Sequence, residues 1–138
     1  VAAGDCVQYF SQHYQRSVRV ESIPNANDQA KIAASTLCGD TKIFDSLPWF
    51  WSDQYDLKLQ IAGLNNGYDQ VYVRGNLALG RSLAIFYYKQ NRMIAADCIN
   101  RPQEFMLSKR VISSRINLDP IKLTDDTIPI SILLENSI

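Results

Sequence analysis

Pro48-Trp49-Phe50-Trp51-Ser52-Asp53-Gln54-Tyr55 contains both tryptophans of the chain and four of its aromatic side chains. Pro48 fixes the backbone that enters the stretch and restricts Leu47 to an extended conformation. Three large flat side chains follow, then polar residues able to turn or cap the chain. Two readings fit. The stretch is a core plug at the head of a sheet, because aromatic side chains mostly serve packing. Alternatively it is an aromatic wall against a planar ligand or a partner protein. Periodicity alone does not choose between them.

Downstream, strands come first and a helix last. Leu57, Leu59 and Ile61 alternate with Lys58, Gln60 and Ala62, a period of two with one wet face. Asn65-Asn66-Gly67 is a turn. A second strand is expected at Gln70–Gly75 and a third at Ser82–Tyr88. Gln90-Asn91-Arg92 makes a tight turn into a fourth at Met93–Ile99. Such short connections imply antiparallel neighbours. Arg101-Pro102-Gln103-Glu104 then opens a helix, with Pro102 in its first turn. Phe105, Leu107, Val111, Ile112 and Ile116 supply its apolar side. Pro120 and Pro129 break any long element in the tail. Segregated strands and helices predict an α+β fold, an antiparallel sheet with flanking C-terminal helices.

Upstream of the aromatic stretch, Val1-Ala2-Ala3-Gly4-Asp5-Cys6 runs from small apolar residues into a Gly-Asp turn. Val7–Ser17 looks like a surface excursion and carries His13, the chain's one histidine. One loop histidine gives no basis for a catalytic triad. Val18–Ser22 alternates briefly. The clearest helix runs from Asn25 to Cys38, with Asn25 as the expected N-cap and Gly39 as C-cap. Ala26, Ala30, Ala33, Ala34 and Leu37 form its apolar stripe. Asp40–Leu47 is a linker, which divides the chain into residues 1–44 and 45–138.

Bulk properties narrow the function classes. The chain has 138 residues, enough for one domain with a sizeable core. Its 14 basic and 14 acidic side chains cancel, which gives no signature of a nucleic-acid binder. Cys6, Cys38 and Cys98 are odd in number and widely spaced. They predict no zinc site, no dithiol centre and no disulfide framework, and make a reducing cytoplasm the default. No apolar run reaches membrane-spanning length, so no membrane partner is expected. No metal site and no catalytic side chain is assigned.

The run from Leu47 through Ser52-Asp53-Gln54-Tyr55-Asp56-Leu57-Lys58-Leu59-Gln60-Ile61-Ala62-Gly63-Leu64 resembles the start of a known C-terminal domain. It is that of the FAD-dependent ferredoxin, rubredoxin and putidaredoxin reductase family, to which apoptosis-inducing factor is more distantly related. Gln70-Val71-Tyr72-Val73-Arg74-Gly75, Phe86-Tyr87-Tyr88, Ile99-Asn100-Arg101-Pro102 and Glu104-Phe105 continue the resemblance in order. Residues 1–44 are similar to the end of that family's FAD-binding domain, a strand and helix remnant. The resemblance implies electron flow from NAD(P)H through FAD to a ferredoxin- or rubredoxin-type acceptor. Asp5 matches the position whose carboxylate accepts a hydrogen bond from the ribityl chain of FAD. Trp49, Phe50 and Trp51 would shield the isoalloxazine. Glu21, with Ser22 beside it, would sit near the nicotinamide approach. The Ala-rich helix would point its N–H groups at the pyrimidine edge of the flavin. Arg16, Arg19, Lys109 and Arg110 would meet an acidic acceptor, or else form an ordinary solvated surface.

One departure is informative. The family needs Gly-x-Gly-x-x-Gly loops for FAD and NADH. Gly4, Gly39, Gly63, Gly67, Gly75 and Gly80 offer no such spacing. The expectation is therefore the C-terminal third or so of a longer reductase, inactive and without tightly held FAD on its own. The alternative is a stand-alone, non-catalytic interaction or dimerisation domain of the same fold. Apolar surface left open on the Ala-rich helix would favour self-association at high concentration.

Overall fold

A computed structural model describes residues 1–135. The chain forms two compact units, Val1–Phe50 and a second that begins at Trp51. The first holds an antiparallel hairpin of β1 (Gln8–Ser11) and β2 (Arg16–Arg19), with Gln8 opposite Arg19 and Ser11 opposite Arg16. The sequence reading had a surface excursion here. The short alternation of buried Ser11 and Val18 with exposed Phe10 and Arg19 is too brief to stand out among polar residues. Val1–Ala3, where the resemblance implies the strand of the strand and helix remnant, takes no regular structure.

The helix α1 spans Ile23–Leu37. Its cap is Ser22 rather than the expected Asn25. The Ser22 hydroxyl accepts from the Asn25 N–H at 3.3 Å, and Pro24 sits in the first turn, where its missing N–H costs nothing. Asn25 is instead buried inside that turn. The helix ends as the Cys38 N–H donates to the Ala34 carbonyl at 3.1 Å, before Gly39.

A five-stranded sheet dominates the rest. Its strands are β3 (Trp49–Gln54), β4 (Leu57–Gly63), β5 (Gln70–Gly75), β6 (Leu83–Lys89) and β7 (Arg92–Ile99), in the order β3-β4-β7-β6-β5. The β4–β7, β7–β6 and β6–β5 pairs are antiparallel. Four of these strands, β4 to β7, lie where the sequence reading expects them. The fifth, β3, is the aromatic stretch itself. The β6–β7 link is the two-residue turn Gln90-Asn91, with φ of 50° and 61°. Two positive φ values match the right-handed twist of the strands they join.

Three helices follow: α2 (Pro102–Ser113), α3 (Pro120–Thr124) and α4 (Ile130–Glu135). Pro102 and Pro120 each open a helix, and Pro129 directly precedes one, so these prolines delimit short elements. The fold is α+β, as the segregation of the elements implied. Phe105, Leu107, Val111 and Ile112 of α2 are buried, as are Ala84, Phe86, Ala96 and Cys98 of the sheet. Fully burying a large apolar side chain such as Phe86 or Leu107 contributes about 1.5–3 kcal/mol.

The exception in this core is a charge. Arg74 of β5 is only 3% exposed. Its Nε donates to Glu104 of α2 at 3.2 Å. Its terminal nitrogens donate to the carbonyls of Leu123 (3.1 Å), Asp125 (2.6 Å) and Ile128 (2.7 Å). Arg101 braces the same group from outside, with two bonds to Asp126 at 2.8 and 3.1 Å and one to Glu104 at 3.0 Å. Gly75, the next residue, has φ of +100°, and a Cβ there would lie 2.7 Å from the Ser82 carbonyl oxygen. Removing Arg74 leaves the buried Glu104 carboxylate to Arg101 alone and takes the guanidinium donors from the carbonyls of Leu123, Asp125 and Ile128. Arg74→Ala should therefore cost about 3–5 kcal/mol in urea unfolding. A loss below about 1 kcal/mol would mean that the tail is held by apolar packing instead.

Candidate functional site

In the first unit, a chain of buried amides organises the candidate residues. The Gly4 N–H donates to Gln29 Oε1 at 2.7 Å. Gln29 Nε2 reaches Asn25 Oδ1 at 3.4 Å, and Asn25 Nδ2 donates to the Val20 carbonyl at 2.8 Å. Asn25 and Gln29 are each 5% exposed. Their spacing of four puts both on one face of α1. The relay ties the Gly-Asp turn to the helix and to the end of the hairpin. Its sequence signal was two amides at i, i+4 inside an alanine-rich stripe, which the apolar reading of that stripe passes over.

The Val7 N–H donates to the Gly4 carbonyl at 3.0 Å, closing a turn with Asp5 and Cys6 at its tip. Gly4 has φ of +91°, a conformation that favours glycine. Asp5 is exposed, and its carboxylate has no internal partner among the described residues. An acceptor-only group held open on an anchored turn fits a ligand that presents hydroxyl donors.

Glu21 and Arg19, assigned separate roles from the sequence, form an ion pair at 2.8 Å with both side chains exposed. Such a pair is weak and can open to a ligand. Ser22 is buried and spent on capping α1. The helix start offers fewer N–H groups than expected. Pro24 has none, and Ser22 takes those of Asn25 and Ala26. Among the described residues, the Ile23 amide is left without such a bond in the first turn.

Trp49 is half-buried and shares a small crevice with Pro24, Asn25 and Phe44. Phe50 and Trp51 are 43% and 38% exposed. The aromatic stretch is thus neither a buried plug nor a fully open wall. Nearby in the same unit, the Tyr9 ring meets Phe44 edge-on at 4.8 Å, and its buried hydroxyl lacks a partner among the described residues. Burial, and then the charge of Asp45, raise its pKa. His13 lies 3.9 Å from Asp45.

Arg16 is exposed on β2. In the second unit, Lys109 is half-buried over the Phe105 ring at 5.5 Å, and Arg110 is exposed beside it on α2. Arg110 and Met106 also line a cavity of about 800 Å³ at the tail. The other charges there, Arg74, Arg101, Glu104 and Asp126, are engaged with one another. No group of three or more metal-ligating side chains occurs among the described residues, and no helix among them is long and apolar enough to cross a membrane.

The family model described as "Reductase C-terminal" matches residues 49–134. The chain belongs to the reductase C-terminal family. It is 45% identical over 130 residues to putidaredoxin reductase of Pseudomonas putida, covering 94% of this chain and 31% of that protein. It is 40% identical over 131 residues to a ferredoxin–NAD(P)(+) reductase of a Sphingomonas species, with the same coverage. The crystal structure of a covalent putidaredoxin reductase–putidaredoxin complex superimposes with a TM-score of 0.91 at 42% identity, over 98% of this chain and 32% of that one. The chain thus spans about a third of the length of the relatives it matches.

One polar pair lies within the family-matched sheet. The Tyr87 hydroxyl donates to Asp97 Oδ2 at 2.7 Å. Burial raises the Asp97 pKa above its ordinary 3.8, although the bond from Tyr87 works the other way. The folded chain therefore keeps a proton that the unfolded chain releases. Stability must fall as pH rises from 3.8 through the raised value. Asp97→Asn keeps an acceptor for Tyr87 and should flatten that part of a pH series of urea midpoints. An unchanged slope would assign the dependence to another carboxylate. Burial likewise pushes the Cys98 thiol up to about 12, whereas Cys6 and Cys38 are exposed.

Proposed function

We propose that this chain is the flavin-covering, acceptor-docking part of an NAD(P)H-dependent flavoprotein reductase that works in a reducing cytoplasm. Electrons pass from NAD(P)H through FAD to a ferredoxin- or rubredoxin-type acceptor. The observation that carries this reading is the family match across residues 49–134, which begins on the aromatic strand. When bound, FAD supplies the hydride-accepting and one-electron chemistry. The residues of this chain hold and shield it. Asp5 accepts from the polyol chain, and Trp49, Phe50 and Trp51 keep water from one side of the ring. Glu21 stands near the nicotinamide approach, with Ser22 fixing the backbone beside it. The Ile23 amide at the start of α1 faces the electron-rich edge of the reduced ring.

Arg16 and Arg19 of the first unit, and Lys109 and Arg110 of the second, each offer an acidic acceptor complementary charge. The dinucleotide-binding glycine loops are not in this sequence. The chain alone therefore neither holds FAD tightly nor reduces an acceptor. Exposed Phe50, Trp51 and Tyr55 also support the second reading, an interaction domain that associates with itself.

Two measurements test the proposal. In equilibrium dialysis the isolated chain should show no FAD binding at micromolar or tighter affinity, and tighter binding would overturn the claim about the missing loops. In calorimetry against an acidic [2Fe–2S] ferredoxin, binding should weaken about tenfold between roughly 50 and 200 mM salt. Lys109→Glu with Arg110→Glu should weaken it further. Salt-independent binding, or none, would remove the docking role and leave self-association as the better reading.

A further inference from the structure

We infer that Gln29, backed by Asn25, is a positioning residue for the Asp5 carboxylate. The inference rests on the proposed flavin role of Asp5. Asp5 sits on a turn whose backbone has few restraints of its own. Within the turn, the Val7 N–H to Gly4 carbonyl bond closes the ring but leaves its orientation on the surface undefined. The bond that sets the orientation is Gly4 N–H to Gln29 Oε1, at 2.7 Å and across 25 residues of sequence.

The geometry is specific. Gln29 is a side chain with one acceptor and two donor hydrogens. Its acceptor takes the Gly4 amide, immediately before Asp5. Its donor side faces Asn25 Oδ1 at 3.4 Å, and Asn25 in turn donates to the Val20 carbonyl at 2.8 Å. Asn25 therefore selects the flip state of Gln29, with oxygen towards Gly4 and nitrogen towards the helix. Val20 precedes Glu21, so one relay fixes the backbone beside both candidate cofactor-contacting carboxylates. Because the relay is neutral, it places two acids without setting another charge against them. A charged substitute would shift their affinity for a donor ligand. Gly4 is also fitted to the task. Its φ of +91° aims the N–H at the helix, and an added Cβ would meet Ala26 only at 4.0 Å, so backbone conformation and not space excludes other residues.

The test uses ¹⁵N-labelled chain and FAD at millimolar concentration as the probe, with Gln29→Ala, Gln29→Glu and Asp5→Ala. In the unsubstituted chain the Gly4 amide should exchange slowly, and FAD should shift the Asp5 and Cys6 resonances. In Gln29→Ala, Gly4 exchange should accelerate at least tenfold, and FAD should act on Asp5 with roughly tenfold weaker apparent affinity. Gln29→Glu, measured at a pH where its carboxyl is protonated and can donate to Asn25 Oδ1, keeps an acceptor for Gly4 and should restore the slow exchange, which a mere loss of packing volume would not explain. Asp5→Ala should abolish the FAD response while leaving Gly4 exchange slow.

If Gly4 exchange is fast in the unsubstituted chain, or unchanged in Gln29→Ala, the relay is wrong. If Gln29→Ala speeds exchange but leaves the FAD response of Asp5 intact, positioning fails and the flavin reading stands. If FAD shifts other resonances of the unsubstituted chain but not those of Asp5 and Cys6, the flavin role of Asp5 fails and takes the positioning role with it. Should Gln29→Ala lose the α1 resonances altogether, Gln29→Glu carries the comparison alone. Fast Gly4 exchange in that variant would then overturn the inference.

Discussion

The guanidinium of Arg74 holds together the parts of the second unit that cannot hold themselves. The segment after α2 contains two helices of five and six residues, too short to be stable alone. Between them the backbone turns through carbonyls that no sheet or helix satisfies. Arg74 accepts this burden because a planar fork with five N–H donors can serve a carboxylate and several carbonyls at once. Its partners span α2 and residues 123–128. The bidentate Arg101–Asp126 pair closes the outer side of the same cluster. Burying this charge is expensive, and it is tolerated because nearly every donor is used.

The first unit solves a similar problem without charge. Neutral amides from Asn25 and Gln29 join three pieces of chain that lack a common sheet. That choice leaves Asp5 and Glu21 outside the structural network, at the surface. The aromatic strand β3 follows the same logic. A sheet edge bearing Phe50 and Trp51 half in water is a liability for a protein left alone. It is useful where a flat ligand or a partner covers it, which is the role proposed for it here.

Much of this fold was legible because it rests on local chemistry. Period-two alternation placed β4, apolar runs between turn residues placed β5, β6 and β7 within a residue or so, and short turn sequences made them antiparallel. Pro102 marked the start of α2. The parts that escaped the sequence reading are those governed by partners far along the chain. Three consecutive aromatics show no alternation, so β3 did not look like a strand. Arg74 reads as the wet residue of an alternating strand, yet it is buried while Val71 is 43% exposed. Its carbonyl partners lie 49 to 54 residues away and carry no side-chain signature. The cap of α1 was misplaced because Asn25 is itself a good cap. The proline just before it was the overlooked signal, since proline belongs inside the first turn and pushes the cap back to Ser22. For the site, resemblance supplied residue types, and the structure supplied what they are attached to.

The most direct measurement of the central claim is the intact mass of the native gene product, taken together with its visible absorption spectrum. A product about three times the length of this chain, with flavin bands, is the predicted result, given that the chain covers 31% of its relative from Pseudomonas putida. A native product of this length with no flavin would contradict it and assign the aromatic strand to partner binding.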